Sequence, residues 1–145
     1  QFPFVELQTN GLVFGRALRD DDDAGWGPRL TRWRRAGLNT VALSVVGVRD
    51  EQNAAVYHED YPPLAETVRH LHERGYTVRL SLMLVGGVVD SPESLASVLD
   101  WCREHRVEQL TVRPIRRPEN TKDDAASAFV RARGITAEQE RDVMY

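Results

Sequence analysis

The polar residues that could do chemistry in this chain are set into otherwise apolar runs at alternating positions. Residues 78–85 are β-branched or apolar except for Arg79 and Ser81. Residues 40–46 carry Ser44, residues 109–113 carry Thr111 and Arg113, and residues 4–9 carry Glu6 and Gln8. Side chains alternate across a strand, so Arg79, Ser81 and Met83 share one face, opposite Val78, Leu80, Leu82 and Leu84. Ser44 likewise opposes Leu43 and Val45. Each strand then has one apolar face for helices to cover and one that carries polar groups. A doubly wound parallel sheet would be apolar on both faces. Glu6, Gln8, Ser44, Arg79, Ser81 and Arg113 converging on one face is the pattern of a barrel-like sheet that holds a polar ligand. Charges placed there need partners, and Glu6 is available to one of the two arginines. A structural ion-pair network, or a face open to water, is the competing reading.

A second candidate follows the strand at 78–85. Gly86-Gly87 ends it, and Ser91-Pro92-Glu93 supplies a cap, a proline for the first helical position and an acid for the first turn. A strand passing through glycines into a helix N-terminus is a common cradle for an anionic or nucleotide ligand. A small basic patch, Arg113, Arg116 and Arg117 around Pro114, could meet a phosphate or carboxylate. Other constellations point away from catalysis. His70 and His72 stand two apart on a predicted helix and cannot face one ion together, and His58 and His105 add no metal spacing. The consecutive aspartates Asp20 to Asp23, beside Arg19, read as a solvated loop, because a metal site spaces its carboxylates around the ion. No metal site is expected. There is no Ser-His-Asp order, no P-loop and no Gly-x-Gly-x-x-Gly.

The elements that must position these residues are punctuated clearly. A strand at 4–9 ends in Thr9-Asn10-Gly11, and residues 12–27 read as a loop. A helix from Pro28 ends at Gly37, and a strand follows at 40–46. A polar loop with Gly47, Asp50 and Asn53 leads to a helix from Pro62 or Pro63 to Arg74, stopped by Gly75. The strand at 78–85 precedes a helix from Pro92 to about His105, then a strand at 109–113 stopped by Pro114. Helices are predicted at 125–133 and from a Thr136/Gln139 capping box onward. A weak internal repeat runs through this order. Ala36-Gly37-Leu38-Asn39-Thr40-Val41, Arg74-Gly75-Tyr76-Thr77-Val78 and His105-Arg106-Val107-Glu108-Gln109-Leu110 are each a helix end, a short turn and a strand. Strands alternating with helices in this way predict an α/β fold of parallel βα units. About four strands are too few to close a barrel alone.

Composition sets outer bounds. The 145 residues, 41% hydrophobic and 28% charged, suit one soluble globular domain. A net charge of −3 gives no footprint for nucleic acid or an acidic membrane. The single cysteine, Cys102, excludes an internal disulfide framework and predicts a reducing, cytoplasmic setting. It reads as a buried small residue. No apolar run reaches the roughly 20 residues a membrane span needs. Gln1 leads almost directly into a strand, and the sequence is expected to stop inside a helix. Both ends predict a part of something larger.

In order and spacing, these segments resemble the radical S-adenosylmethionine (SAM) enzymes. Leu7-Gln8-Thr9-Asn10-Gly11 resembles their third-strand Thr-Asn-Gly. Val41-Ala42-Leu43-Ser44-Val45-Val46-Gly47 is similar to the fourth-strand Val-x-x-Ser-Leu-Asp-Gly of the branch that includes the molybdenum-cofactor GTP cyclase. Val78 to Asp90 resembles that branch's fifth strand and its Gly-x-Asn-Asp turn, and Gln109 to Pro114 takes the place of the sixth strand.

The resemblance implies an open (β/α)6 TIM-like barrel, of which residues 1–118 would be about strands 3 to 6 and residues 119–145 a C-terminal helical extension. It implies SAM and a [4Fe–4S] cluster at the strands' C-terminal ends, forming a 5′-deoxyadenosyl radical that abstracts a substrate hydrogen. Ser44, Arg113, Ile115, Thr9 and Asn10 would bind the cofactor; Arg79, Ser81, Gln8 and Glu6 would line the substrate cavity. Partners would be a small-molecule or peptide substrate and a reductant such as flavodoxin or ferredoxin. The sequence departs from the family where the cluster is concerned. The Cys-x-x-x-Cys-x-x-Cys and the second-strand Gly-Gly-Glu are absent, and in the family both precede Thr-Asn-Gly, so they are expected upstream of Gln1. Val46 replaces the fourth-strand Asp. The rival readings are a phosphate- or nucleotide-binding barrel fragment of a hydrolase, lyase or isomerase, and a non-catalytic binding module.

Overall fold

The computed structural model describes residues 4–14, 26–57, 60–116 and 124–145. Asp20 to Asp23, His58, Arg117 and the boundary at 118–119 lie outside the described residues. The chain alternates strands and helices: β1 (Glu6–Thr9), α1 (Trp26–Arg35), β2 (Thr40–Val45), α2 (Asp50–Ala54), α3 (Leu64–Glu73), β3 (Thr77–Leu84), α4 (Pro92–Glu104), β4 (Gln109–Pro114), α5 (Asp124–Arg133) and α6 (Ala137–Met144). The strands form one sheet in the order β1-β2-β3-β4, every pair parallel. The α/β class and the βα repeat are therefore as the sequence predicts.

Burial follows the alternation. Val41, Leu43 and Val45 of β2 and Val78, Leu80, Leu82 and Leu84 of β3 are completely enclosed. They pack with Leu30 of α1, Leu64, Val68 and Leu71 of α3, and Val98 and Cys102 of α4. These helices cover the apolar face of the sheet. Val143 of α6 and Ile135 join the same core. A buried leucine in such a layer contributes roughly 2–3 kcal/mol by removal from water.

The three repeats end their helices identically. Gly37, Gly75 and Arg106 all have positive φ, at 108°, 77° and 56°. In each, the next residue donates its N–H back across the turn: Leu38 to Trp33 O at 3.0 Å, Tyr76 to Leu71 O at 3.1 Å, and Val107 to Cys102 O at 2.9 Å. This is the Schellman closure, and its apolar pair (Trp33 with Leu38, Leu71 with Tyr76, Cys102 with Val107) belongs to the core each time. The first and third repeats hold one residue more than the second, and both extra residues clamp the preceding strand. Asn39 Oδ1 accepts from the Val5 N–H at 3.2 Å, and Glu108 Oε2 accepts from the Val78 N–H at 2.8 Å.

The segment after β2 differs from the sequence reading. Where a polar loop is expected, residues Asp50–Ala54 form the short helix α2. Its organiser is Asn53, completely buried, which accepts from the Val46 N–H at 2.9 Å and donates to Gly47 O at 2.9 Å. Asp50 Oδ1 accepts from the Leu64 N–H at 2.9 Å and so caps α3 from a distance.

Arg106 stands where the other two repeats place glycine, in a conformation disfavoured for a residue with a Cβ. Arg106→Gly is expected to raise stability by about 0.5–1 kcal/mol, read as a higher urea midpoint with unchanged slope. Asn53→Ala orphans a buried N–H and a buried carbonyl and is expected to cost about 2–3 kcal/mol in the same measurement.

Candidate functional site

Strand register turns the polar face into rows. Gln8, Ala42, Arg79 and Gln109 are level with one another across the sheet, and one step on, Ser44, Ser81 and Thr111 are level; Met83 then pairs with Arg113. The C-terminal ends of β2, β3 and β4 thus present two serine hydroxyls, a threonine and a guanidinium side by side.

Arg79 dominates the lower row. Its Nη2 pairs with Glu6 Oε1 on β1, and its Nη1 donates to Thr111 Oγ1 on β4 at 3.2 Å. To reach Glu6 the side chain must cross β2, about two interstrand spacings or ~10 Å away. Ala42 lies in its path, and being small it leaves room for that crossing; it is completely buried. Glu6 and Arg79 side chains are only 19% and 22% exposed, so the pair is largely withdrawn from water. Arg79 Nε is buried without a hydrogen-bond partner.

Above this pair lies an open cleft of about 750 Å³. Gln8, Ser44, Ser81, Met83 and Arg113 line it from the strands, and Ile115 follows at the end of β4. Arg113 Nη2 donates to Ser81 Oγ at 2.7 Å, which ties the two side chains together. The other wall is α5, through Ala125, Phe129 and Val130. The helix is pinned at its C-terminal end where the Gly86 N–H donates to Arg133 O at 2.8 Å. A Cβ on Gly86 would stand 3.3 Å from that carbonyl, so glycine serves close approach of α5.

The sequence-predicted residues divide accordingly. Gln8, Ser44, Ser81, Arg113 and Ile115 come together in the cleft. Arg79 and Glu6 form the ion pair on the same sheet face and do not line the cleft. Thr9 and Asn10 are engaged in a turn: Thr9 Oγ1 accepts from the Gly11 N–H at 3.2 Å, and Asn10 Oδ1 accepts from the Leu12 N–H at 3.3 Å. Thr9 is level with Leu43, on the helix-covered side of the sheet. The Gly86-Gly87 cradle is filled by the protein's own groups. Gly87, at φ +78°, donates to Asp90 Oδ2 at 2.7 Å, and the Val88 and Val89 amides donate to Val85 O. The α5 wall is absent from the sequence reading; the i, i+4, i+5 spacing of Ala125, Phe129 and Val130 is the signal that carries it.

Other candidates stay structural. Among the described residues no group of three His, Cys, Asp or Glu could hold a metal ion. Cys102 is buried against the apolar face, and burial pushes its thiol pKa up, away from the thiolate a metal requires. No described helix is long and apolar enough to cross a membrane. Neither a protein-family model nor a curated protein matches this sequence.

Beside the cleft, after Val56, Tyr57 stacks on Tyr61 with ring centroids 5.8 Å apart. Burial pushes the Tyr57 phenol up to about 12 and raises that of Tyr61 further. The Tyr57 hydroxyl is buried with no hydrogen-bond partner. Because these folded-state values lie above the ordinary one of 10.0, their stabilising contribution is whole below pH 10.0 and lost as pH rises through about 12. Denaturation midpoints should fall across that window. Tyr57→Phe keeps the stack, is expected to raise stability at neutral pH by about 1 kcal/mol, and should flatten the alkaline loss. Glu6→Gln leaves Arg79 without its carboxylate and is expected to cost about 2–3 kcal/mol, measured by urea unfolding.

Proposed function

We propose that this chain supplies the C-terminal strands of a radical SAM (β/α)6 barrel, with the cleft above Ser44, Ser81 and Arg113 as its SAM- and substrate-binding region. One observation carries the reading: polar residues of a single sheet face converge at the C-terminal ends of parallel strands, over a cleft of about 750 Å³. That end of a parallel sheet is where α/β proteins bind their ligands, and the volume lies within the range of small-molecule sites, about 300–1,000 Å³. In a barrel, β1 to β4 would be consecutive staves, with the polar face turned to the lumen and α1, α3 and α4 outside.

The fit to the two cofactor groups differs. SAM suits the cleft. Ser44 would hydrogen-bond its ribose or methionyl group, and backbone around Ile115 would flank the adenine. Arg79, fixed between Glu6 and Thr111, would keep the floor polar and dry. When bound with a reduced cluster, SAM supplies the radical chemistry that abstracts a substrate hydrogen. The residues of this chain do not fit a [4Fe–4S] cluster, which needs several thiolates: the one cysteine is Cys102, buried on the covered side. The proposal therefore requires cluster ligands outside residues 1–145, together with a reductant of the flavodoxin or ferredoxin kind, in the cytoplasm. The Gly86-Gly87 alternative is less favoured, because its amides are already bonded within the protein.

The gene product should carry Cys-x-x-x-Cys-x-x-Cys upstream of Gln1, and after anaerobic reconstitution it should show the broad visible absorbance of a Cys-ligated cluster. A gene product without that motif defeats the reading. On the reconstituted protein, Ser44→Val is expected to weaken SAM binding by about three- to tenfold in a calorimetric titration. Unchanged SAM affinity would remove Ser44 from the cofactor site.

A further inference from the structure

The charge of the cleft is unbalanced, and the imbalance sits on one residue. Among the described residues Arg113 and Arg116 line it, and no carboxylate does. Arg116 is neutralised at the rim, where its Nη2 lies 2.6 Å from Glu140 Oε1. Arg113 is exposed and has no carboxylate partner among the described residues; its described bond is the one from Nη2 to Ser81 Oγ. That bond fixes the guanidinium at one corner and leaves the rest of its planar donor set unspent. A fixed, unpaired guanidinium is suited to a carboxylate or phosphate, which it can grip with two parallel hydrogen bonds.

The remaining lining is of opposite character. Phe129 and Val130 of α5 join Met83 and Ile115 to give an apolar wall within the same cleft as Arg113. Such a wall accepts a flat or apolar body and gains little from a small hydrated ion.

We propose that the cleft takes a small anionic molecule with an apolar, preferably aromatic, body: Arg113 holds its carboxylate or phosphate, and the body packs on Phe129 and Val130. This deepens the preceding reading by giving the substrate a chemical class, and rests on it only for the choice of this cleft as the ligand site. Ser81 acts as a positioning residue, holding the guanidinium in place.

The test uses simple probes on the chain itself, with neither SAM nor iron present. Phenylacetate, phenyl phosphate and benzyl alcohol are titrated while the backbone amides are followed by NMR. The two anions are expected to shift resonances around Ser81, Arg113 and Phe129, and benzyl alcohol to bind at least about tenfold more weakly. Arg113→Met should weaken both anions by about tenfold or more and leave benzyl alcohol unchanged. Phe129→Ala should weaken phenyl phosphate and leave inorganic phosphate unaffected. Whichever anion binds more tightly identifies carboxylate or phosphate as the natural group. Equal binding of benzyl alcohol and the anions, or anion binding that survives Arg113→Met, overturns the proposal. Should Arg113→Met not fold, Arg113→Lys keeps the charge without the planar grip; undiminished anion affinity in that variant overturns it equally. Anion binding at Arg113 in a protein whose gene carries no cluster motif would defeat the radical SAM reading and leave this one standing.

Discussion

A guanidinium laid across three strands is the constraint on which the polar face depends. Arg79 starts on β3, passes over Ala42 of β2 and ends on Glu6 of β1, while its other nitrogen reaches Thr111 of β4. β1, β3 and β4 are thereby tied together on the polar face, across β2. The arrangement works because Ala42 is small and because Glu6 supplies the opposite charge. Loss of Glu6 alone would leave a guanidinium withdrawn from water without its carboxylate, which costs more than the pair itself contributes. The pair also fixes register. A slip of β3 by one residue would turn Arg79 toward the leucines and valines under the helices.

With that floor in place, the residues of the candidate site sit where the strands end. Ser44, Ser81 and Arg113 need no loop of their own to position them; they are the next polar positions along β2, β3 and β4. The cleft is completed from outside the sheet by α5, whose close approach depends on Gly86 having no side chain. The glycine turn that resembles a phosphate cradle thus serves packing, and its amides are consumed in doing so.

Much of this is legible in the sequence because punctuation and alternation agree. Gly37 and Gly75 stop helices, Ser91-Pro92 and Thr136 start them, and the apolar positions of each strand alternate with the polar ones. The side of the sheet that Ser44, Ser81 and Arg113 occupy follows from the same period. Two features escape this kind of reading, and one expectation drawn from the resemblance, Thr9 in the cofactor site, runs against it. Helix α2 has five residues, too few for a hydrophobic period, and is organised by the tertiary bonds of Asn53. Thr9 lies level with Leu43, since the same alternation that directs Gln8 to the cleft directs its neighbour away. The placement of α5 over the strand ends depends on the Gly86–Arg133 contact between residues far apart in sequence.

The extra residue in the first and third helix-to-strand turns has a wider effect. Asn39 clamps the segment before β1 to β2, and Glu108 clamps β3 to β4, whereas the middle boundary carries at that level the backbone bond from the Thr77 N–H to Asn39 O at 2.9 Å. At that end side-chain clamps reinforce the two outer boundaries, while the central one, between β2 and β3, rests on the backbone ladder from Thr40 and Thr77 onward. The cleft lies at the opposite end of the strands, where Gln8 and Ser44 of β1 and β2 stand beside Ser81 and Arg113 of β3 and β4. A molecule seated there would touch all four strands at once, so that its occupancy and the cohesion of the sheet would be linked quantities.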